Sequence, residues 1–308
     1  MAFADRVTVL RDGTDVAVVD VADTSKDELA NLMVGRLVVF TIQKEAVQKG
    51  SLVLEVENIS AQNDKGLDAL KNVSLDVCSG EILGIAGVAG NGQTILAEVI
   101  TGLRPSTNGQ VRLRGEDVTN ASPRVYIQKG VAHIPSDRLG MGLAGNLSIS
   151  DNLIMKSYRR VPIATGPFLK NGAINDFTKG LIDKFQVLTP SQETPARNLS
   201  GGNQQKMILA REVTVGENRT EGEEVPLIVA VHPTRGLDVG AIENVHDQLL
   251  QQRKQGAATL LVSGELDELI GLSDRIAVFH GGEVMGIVDA AEADIEQLGL
   301  MMAGEKRL

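Results

Sequence analysis

The tightest constraint on the fold is a glycine-rich turn set between an apolar run and a helix-forming run. Glu81-Ile82-Leu83-Gly84-Ile85-Ala86 reads as a short buried strand. It leads into Gly87-Val88-Ala89-Gly90-Asn91-Gly92-Gln93-Thr94, and Ile95-Leu96-Ala97-Glu98-Val99-Ile100 then has helical character up to Gly102. Strand, glycine loop and helix form the context that a phosphate-binding loop requires, and Gly87, Gly92 and Thr94 meet the spacing G-x-x-x-x-G-x-[ST]. Glycines let successive N–H groups turn toward a phosphate, and the helix start adds partial positive charge. The motif's lysine, a full positive charge beside the phosphates, is Gln93 here, which offers only amide dipoles. A glycine corner with no ligand has the same local pattern, and the loop alone does not decide between the two.

The chain has 308 residues, enough for one large α/β domain or two ordinary ones. Its net charge of -10 argues against a nucleic-acid partner, which wants a basic face. The single cysteine, Cys78, excludes an intrachain disulfide. No apolar stretch approaches the length needed to cross a bilayer, and Met1-Ala2-Phe3-Ala4-Asp5-Arg6 lacks the basic-then-apolar pattern of a signal peptide. Any work at a membrane is therefore expected to need another subunit.

The two ends of the chain resemble each other. Asp5-Arg6-Val7-Thr8-Val9-Leu10 matches Asp274-Arg275-Ile276-Ala277-Val278-Phe279 at an offset of 269 positions. Without a gap, the same offset pairs Gly13 with Gly282, Val19-Asp20 with Val288-Asp289, Leu29 with Leu298, Met33 with Met302 and Gly35 with Gly304. Both stretches read as strand, turn, strand and short helix. That period has the size of a whole domain rather than a solenoid unit. Residues 1–37 are therefore expected to be the tail of a preceding domain copy, 38–52 a linker, and 53–308 the domain proper. An N-terminal extension that merely mimics the C-terminus is the alternative.

Leu199-Ser200-Gly201-Gly202-Asn203-Gln204-Gln205-Lys206 precedes an amphipathic helix through Met207-Ile208-Leu209-Ala210-Arg211-Glu212. A serine and two glycines at a helix start can converge a hydroxyl and N–H groups on one phosphate. Taken alone, this is a well-formed helix start with room for an anion. Leu-Ser-Gly-Gly-x-Gln, however, resembles the signature motif of the ABC ATPases. The Asn-Gln-Gln-Lys ending, with Pro233-Thr234-Arg235-Gly236-Leu237-Asp238-Val239-Gly240-Ala241 downstream, is similar to the ATPases of simple-sugar and nucleoside importers. Those ATPases carry two fused nucleotide-binding domains, and this chain looks like the second, with the tail of the first attached. The resemblance covers essentially the whole chain. It implies an α/β P-loop NTPase fold of ABC type, with a RecA-like core, an antiparallel β subdomain and a helical signature subdomain over about 142–211. In the family that subdomain contacts a membrane permease. Ser148-Ile149-Ser150-Asp151-Asn152-Leu153 fits a helix start within it, and Thr214 to Glu224 reads as an exposed loop.

Carried over by position, the resemblance separates intact from altered parts. In the family, the strand matching Leu227-Ile228-Val229-Ala230-Val231 ends in an Asp that helps hold Mg²⁺ and a Glu that polarises the attacking water. Those positions are Val231 and His232 here. The family's switch histidine, after Thr259-Leu260-Leu261-Val262-Ser263, is Gly264. His133-Ile134-Pro135-Ser136-Asp137-Arg138 occupies the Q-loop region, with Ser136 at the Gln or acidic position. No aromatic lies near Gln62-Asn63-Asp64 to stack on adenine. Gln93, Val231, His232 and Gly264 together imply a degenerate catalytic apparatus at the chain's own site, formed by Gly87, Gly90, Asn91, Gly92, Gln93 and Thr94. His232 has the ordinary pKa of a base, or else merely ends a strand. Leu199, Ser200, Gly201, Gly202 and Gln204 match the signature, which in this family acts in trans on a partner's ATP, and Asp238 matches the D-loop Asp.

The implied protein is the second nucleotide-binding domain of an importer for nucleosides or simple sugars, with nucleosides slightly preferred. The implied cofactors are ATP and Mg²⁺, the latter held weakly through Thr94. The implied partners are another nucleotide-binding domain and integral permease subunits, with no nucleic acid, at the cytoplasmic face of the membrane. Alone, the domain is expected to hydrolyse ATP weakly or not at all. Two other readings stay open: a non-transport tandem ABC protein, which would bring basic regions, and a regulatory module that no longer binds nucleotide.

Overall fold

The computed structural model describes residues 4–11, 14–34, 42, 44–217 and 227–308. Near the start, β1 (Arg6–Arg11) and β2 (Thr14–Asp20) form an antiparallel hairpin followed by α1 (Lys26–Val34). A longer hairpin, β3 (Leu52–Gln62) and β4 (Asp68–Cys78), comes next. The strand β5 (Ile82–Gly87) then runs through the glycine loop into α2 (Gln93–Val99). β6 (Asn108–Leu113) and β7 (Glu116–Asp117) complete a four-stranded antiparallel sheet in the order β4-β3-β6-β7, and α3 (Pro123–Gln128) leads to β8 (Val131–Ile134).

The next segment departs from the expectation of mostly helix over 142–211. It holds α4 (Ile149–Ile154), a small hairpin of β9 (Ala164–Thr165) and β10 (Phe168–Leu169), α5 (Asn171–Lys184) and α6 (Gly201–Glu217). The hairpin has a local cause. Pro162 precedes it and Pro167 lies in its turn, neither able to donate a helical hydrogen bond, and Gly166 in the same turn takes a left-handed φ of 60°. A second correction concerns Thr214, expected to open an exposed loop. It is buried within α6, its hydroxyl bonded back to the Ala210 carbonyl beside buried Val213. Its polarity is absorbed by that bond, so the helix continues to Glu217. Residues 218–224 of the expected loop lie outside the described residues.

The chain closes with β11 (Leu227–Val231), α7 (Val239–Lys254), β12 (Ala258–Val262), α8 (Leu266–Leu272), β13 (Arg275–His280), β14 (Glu283–Asp289) and α9 (Ile295–Ala303). The large sheet has the order β14-β13-β5-β12-β11-β8 and is parallel except for its edge strand β14. Its strands are apolar on both faces, as a sheet covered on both sides requires. Ile82, Ile228, Ala230, Leu261, Ile276 and Val278 join one core with Met207, Val245, Leu269 and Leu298 from the helices. Their strand neighbours Leu83, Ile85, Val229, Leu260 and Phe279 point the other way, into a core shared with α2 and the antiparallel sheet.

The two ends of the chain repeat in structure as well as in sequence. Shifted by 269 positions, β1, β2 and α1 coincide in their bounds with β13, β14 and α9. The registers agree, Arg6 opposite Asp20 and Arg275 opposite Asp289, and both hairpins bulge at the same place, Val9/Leu10 and Val278/Phe279. One difference is environmental. β13 also pairs with β5, whereas β1 pairs only with β2 among the described residues. Leu10 is accordingly 64% exposed where its counterpart Phe279 is 0%. The pairs containing Gly13 and Gly35 lie outside the described residues.

Most of the stretch read as a linker is a strap fastened along the core; residues 38–41 and 43 of it lie outside the described residues. Ile42 covers Gly271, where an added Cβ would stand 2.6 Å from its Cδ1. Lys44 donates to the Ser273 carbonyl and lies 3.7 Å from Asp274, Arg253 donates to the Glu45 carbonyl at 2.8 Å, and Lys49 pairs with Glu81 at 2.8 Å.

Candidate functional site

Ligands of parallel α/β sheets bind beyond the carboxyl ends of the strands. Parallel pairing sets Ile85 beside Val262, and Val262 beside Val231. The glycine loop after β5, Gly264 after β12 and His232 after β11 therefore stand in a row along one sheet edge. Positions up to 171 residues apart in sequence, Gln93, Val231, His232 and Gly264, meet there.

The loop is closed by its own backbone. Asn91 N–H donates to the Val88 carbonyl at 3.2 Å, and Asn91 Oδ1 accepts from Gly281 N–H at 3.1 Å. Gly92 needs to be glycine twice over: its φ is 102°, and an added Cβ would lie 2.5 Å from the Ala69 carbonyl of β4. Gly90 also takes a left-handed φ, 95°, in exposed backbone. Gln93 is buried and folded back across the loop, its Nε2 donating to the Val88 carbonyl at 3.2 Å. A Cβ on Gly87 would stand 2.2 Å from that nitrogen. Gln93 thus braces the loop from within, and Thr94 is exposed at the helix start.

At the neighbouring strand ends, Val231 is buried and apolar, and Gly264 is exposed with no side chain to offer. His232 sits in left-handed backbone, φ 47°, with its N–H donating to the Val262 carbonyl at 2.7 Å. Such a conformation in a non-glycine residue costs energy and marks a position held by its surroundings. Burial lowers the imidazole pKa, and the Arg235 charge lowers it further against the opposing pull of Glu268.

The segment at Leu199 to Gln205 opens α6 at the surface. Leu199 is buried, and Ser200 is exposed with its Oγ accepting from Asn203 Nδ2 at 3.0 Å. Gln204 is buried and donates to the Leu199 carbonyl at 3.1 Å, closing the turn beneath the helix start. Asp238 caps α7, its Oδ1 accepting from Ala241 N–H at 2.9 Å. Ser136 and Arg138, from the loop after β8, line a groove of about 480 Å³ with Gln204, Arg235 and Gly236. Arg138 spans it, donating to the Arg235 carbonyl at 2.9 Å.

Sequence reasoning missed the buried carboxylate of this region, Glu268. Its Oε1 lies 2.8 Å from His246 Nε2, it accepts from the Ser263 hydroxyl, and the Thr234 side chain lies beside it. Burial opposes its charge, yet these donors hold its pKa below the ordinary carboxylate value. The available signal was an acidic residue on the stripe of α8 that also carries Leu269 and Leu272.

Residues 70–218 match the family model described as "ABC transporter". A glucose import ATP-binding protein of Haloferax volcanii is 46% identical over 305 residues, 98% of this chain and 54% of that protein. A guanosine import ATP-binding protein of Bacillus subtilis is 44% identical, over 98% of this chain and 58% of its own length. A nucleoside import ATP-binding protein of Lactococcus lactis is 41% identical, with the same shares. Among solved structures, a nucleotide-free ATP-binding cassette from an ABC transporter superposes with a TM-score of 0.64 at 20% identity, covering 82% of this chain and 95% of that one. The fold is that of the ABC ATP-binding cassettes, and residues 70–218 carry the match to their family model. The chain spans somewhat more than half the length of the curated relatives it matches, 54–58%.

ABC ATPases bind ATP with Mg²⁺, which fixes what this cassette's residues must be measured against. The loop from Gly87 to Thr94 has the backbone for phosphates, with Gly90 and Gly92 in conformations that glycine alone adopts readily. The donor set for a metal does not fit: Thr94 supplies one hydroxyl, and Val231 supplies no carboxylate, whereas Mg²⁺ is usually bound through one or two. Asp76, Cys78 and Glu81 bring ligand atoms close together elsewhere, but Glu81 is already held by Arg275 at 2.6 Å and Lys49 at 2.8 Å, so that group is an ion-pair cluster. No helix among the described residues is long and apolar enough to cross a membrane.

Proposed function

We propose that this cassette is the second nucleotide-binding domain of an importer ATPase, and that it acts chiefly on ATP held by a partner cassette. Residues 1–37 are the tail of that first domain copy, and the strap joins the two. Its own P-loop site, Gly87 to Thr94, holds nucleotide weakly or without turnover. Its signature, Leu199, Ser200, Gly201, Gly202 and Gln204, with Asp238 beside it, completes the competent site. The observation that carries this reading is the contrast along one chain. The strand-end row presents Gln93, Val231, His232 and Gly264 where hydrolysis needs a cation, a metal carboxylate, a base and a switch histidine, while Ser200 stands exposed at an intact helix start. The agreement of both hairpins in bounds, register and bulge supports the preceding copy.

The relatives named for glucose, guanosine and nucleoside import support a cargo among nucleosides and simple sugars, delivered by permease subunits at the cytoplasmic face of the membrane. The purified chain is expected to show little steady-state ATP hydrolysis and to bind a fluorescent ATP analogue weakly. Robust turnover that disappears in His232→Ala would overturn the degenerate-site reading, because His232 would then be the working base.

A further inference from the structure

We propose that Glu268 is a positioning residue for the signature surface: its buried carboxylate fixes both ends of the D-loop, and the D-loop seats the start of α6. The inference rests on the reading that Ser200 to Gln204 serve a partner's nucleotide.

The geometry runs in two steps. Glu268 is 6% exposed, and its partners converge from three directions. Thr234 lies where the chain leaves β11, Ser263 follows β12, and His246 lies two turns into α7, whose first turn Asp238 caps. The D-loop, residues 233–238, therefore has its entrance, at Thr234, beside the same carboxylate to which the helix at its exit is tied through His246. Ser263 also accepts from Glu265 N–H at 3.1 Å, so the loop holding Gly264 is fixed to the same point.

The second step joins the D-loop to the signature. Arg138 donates to the Arg235 carbonyl at 2.9 Å. A Cβ on Gly201 would stand 3.6 Å from Arg138 Nη2 and 4.0 Å from the Gly236 carbonyl. A Cβ on Gly202 would stand 3.4 Å from Ala241 Cβ and 3.7 Å from Asp238 Oδ2. The first turn of α6 thus lies directly on the D-loop and the first turn of α7. A buried polar hub whose members are all paired specifies position, and removing its centre leaves several donors buried without an acceptor. Glu268 does not touch the signature itself and acts through Thr234 and His246.

The test is ATP hydrolysis by the chain assembled with a cassette whose own P-loop site is competent. Glu268→Ala is expected to lower kcat about tenfold or more while KM for ATP stays within about twofold, since misplacing a group by an ångström can cost a hundredfold. Glu268→Gln, which keeps the size and most of the hydrogen bonds, is expected to recover most of the rate. Thr234→Val, which removes one hydroxyl and keeps the shape, should lower kcat in the same direction and covers the case in which Glu268→Ala does not fold. Wild-type kcat in Glu268→Ala or in Thr234→Val, with hydrolysis abolished by Ser200→Arg, overturns the proposal and leaves the signature reading standing. Unchanged hydrolysis in Ser200→Arg overturns the signature reading and the proposal with it.

Discussion

His133 is the side chain whose chemistry the fold alters most plainly. Burial in β8 pushes its pKa from 6.5 down to about 4, against the opposing pull of Glu212. Glu212 is fully buried but ionised, held by Arg211 Nε at 2.9 Å, by Lys156, and by the His133 backbone N–H at 2.9 Å. The direction of the pH effect follows. Between pH 6.5 and about 4 the unfolded chain binds a proton at His133 that the folded chain refuses, so stability falls on acidification through that window. The slope reaches at most about 1.4 kcal/mol per pH unit. Below its ordinary value of 4.5, protonation of Glu212 removes a second, paired contribution. His133→Gln is expected to flatten the dependence of the urea midpoint on pH between 6.5 and 4. His232, lowered by burial and Arg235, would keep part of the slope, and the loss below 4.5 would persist. An unchanged slope would show that His133 titrates as it does in the unfolded chain. None of this was legible in sequence, where His133 was only a residue preceding Ser136; its burial comes from the β8 pairing and the helix α6 packed over it.

At the scale of elements, the starts of helices were easier to read than their ends. Ser148-Ile149-Ser150-Asp151 pointed to a start, and Ser148 Oγ accepts from Asp151 N–H at 3.0 Å as the cap of α4. Capping chemistry is local, so four residues suffice to reveal it. Ser148→Ala should destabilise the chain by about 1 kcal/mol, read as a lower denaturant midpoint with unchanged slope. An unchanged midpoint would mean that the turn from 144 to 148, tied to Asn152, holds α4 without its cap. The continuation of α6 past Arg211 was not legible, because the polar Thr214 is accommodated by a backbone carbonyl within the helix. The hairpin β9-β10 was missed because its strands are two residues each, too short for alternation to show.

For the whole molecule, the repeat is the feature that sequence revealed best, since an ungapped offset is visible without any structure. Its consequence is a hairpin outside the main sheet. Val9 is buried, but Leu10, Val18 and Met33 are exposed. Deleting residues 1–41, leaving the strap from Ile42 onward, is expected to shift the melting temperature by less than about 3 °C. Loss of cooperative melting would show instead that this hairpin is part of the cassette's core. The sequence by itself determined the strand–loop–helix unit, the start of α4, the fold class and the residues at Gln93, Val231, His232 and Gly264, because each is written in short-range spacing or in residue identity. Tertiary structure alone decided which distant groups share an environment. Parallel pairing aligned the strand ends into one edge, and packing of α7 against β12 and of α8 against β5 drew Thr234, His246 and Ser263 onto Glu268. Such a hub gathers residues spread over 34 positions, from Thr234 to Glu268, and no local pattern carries that information.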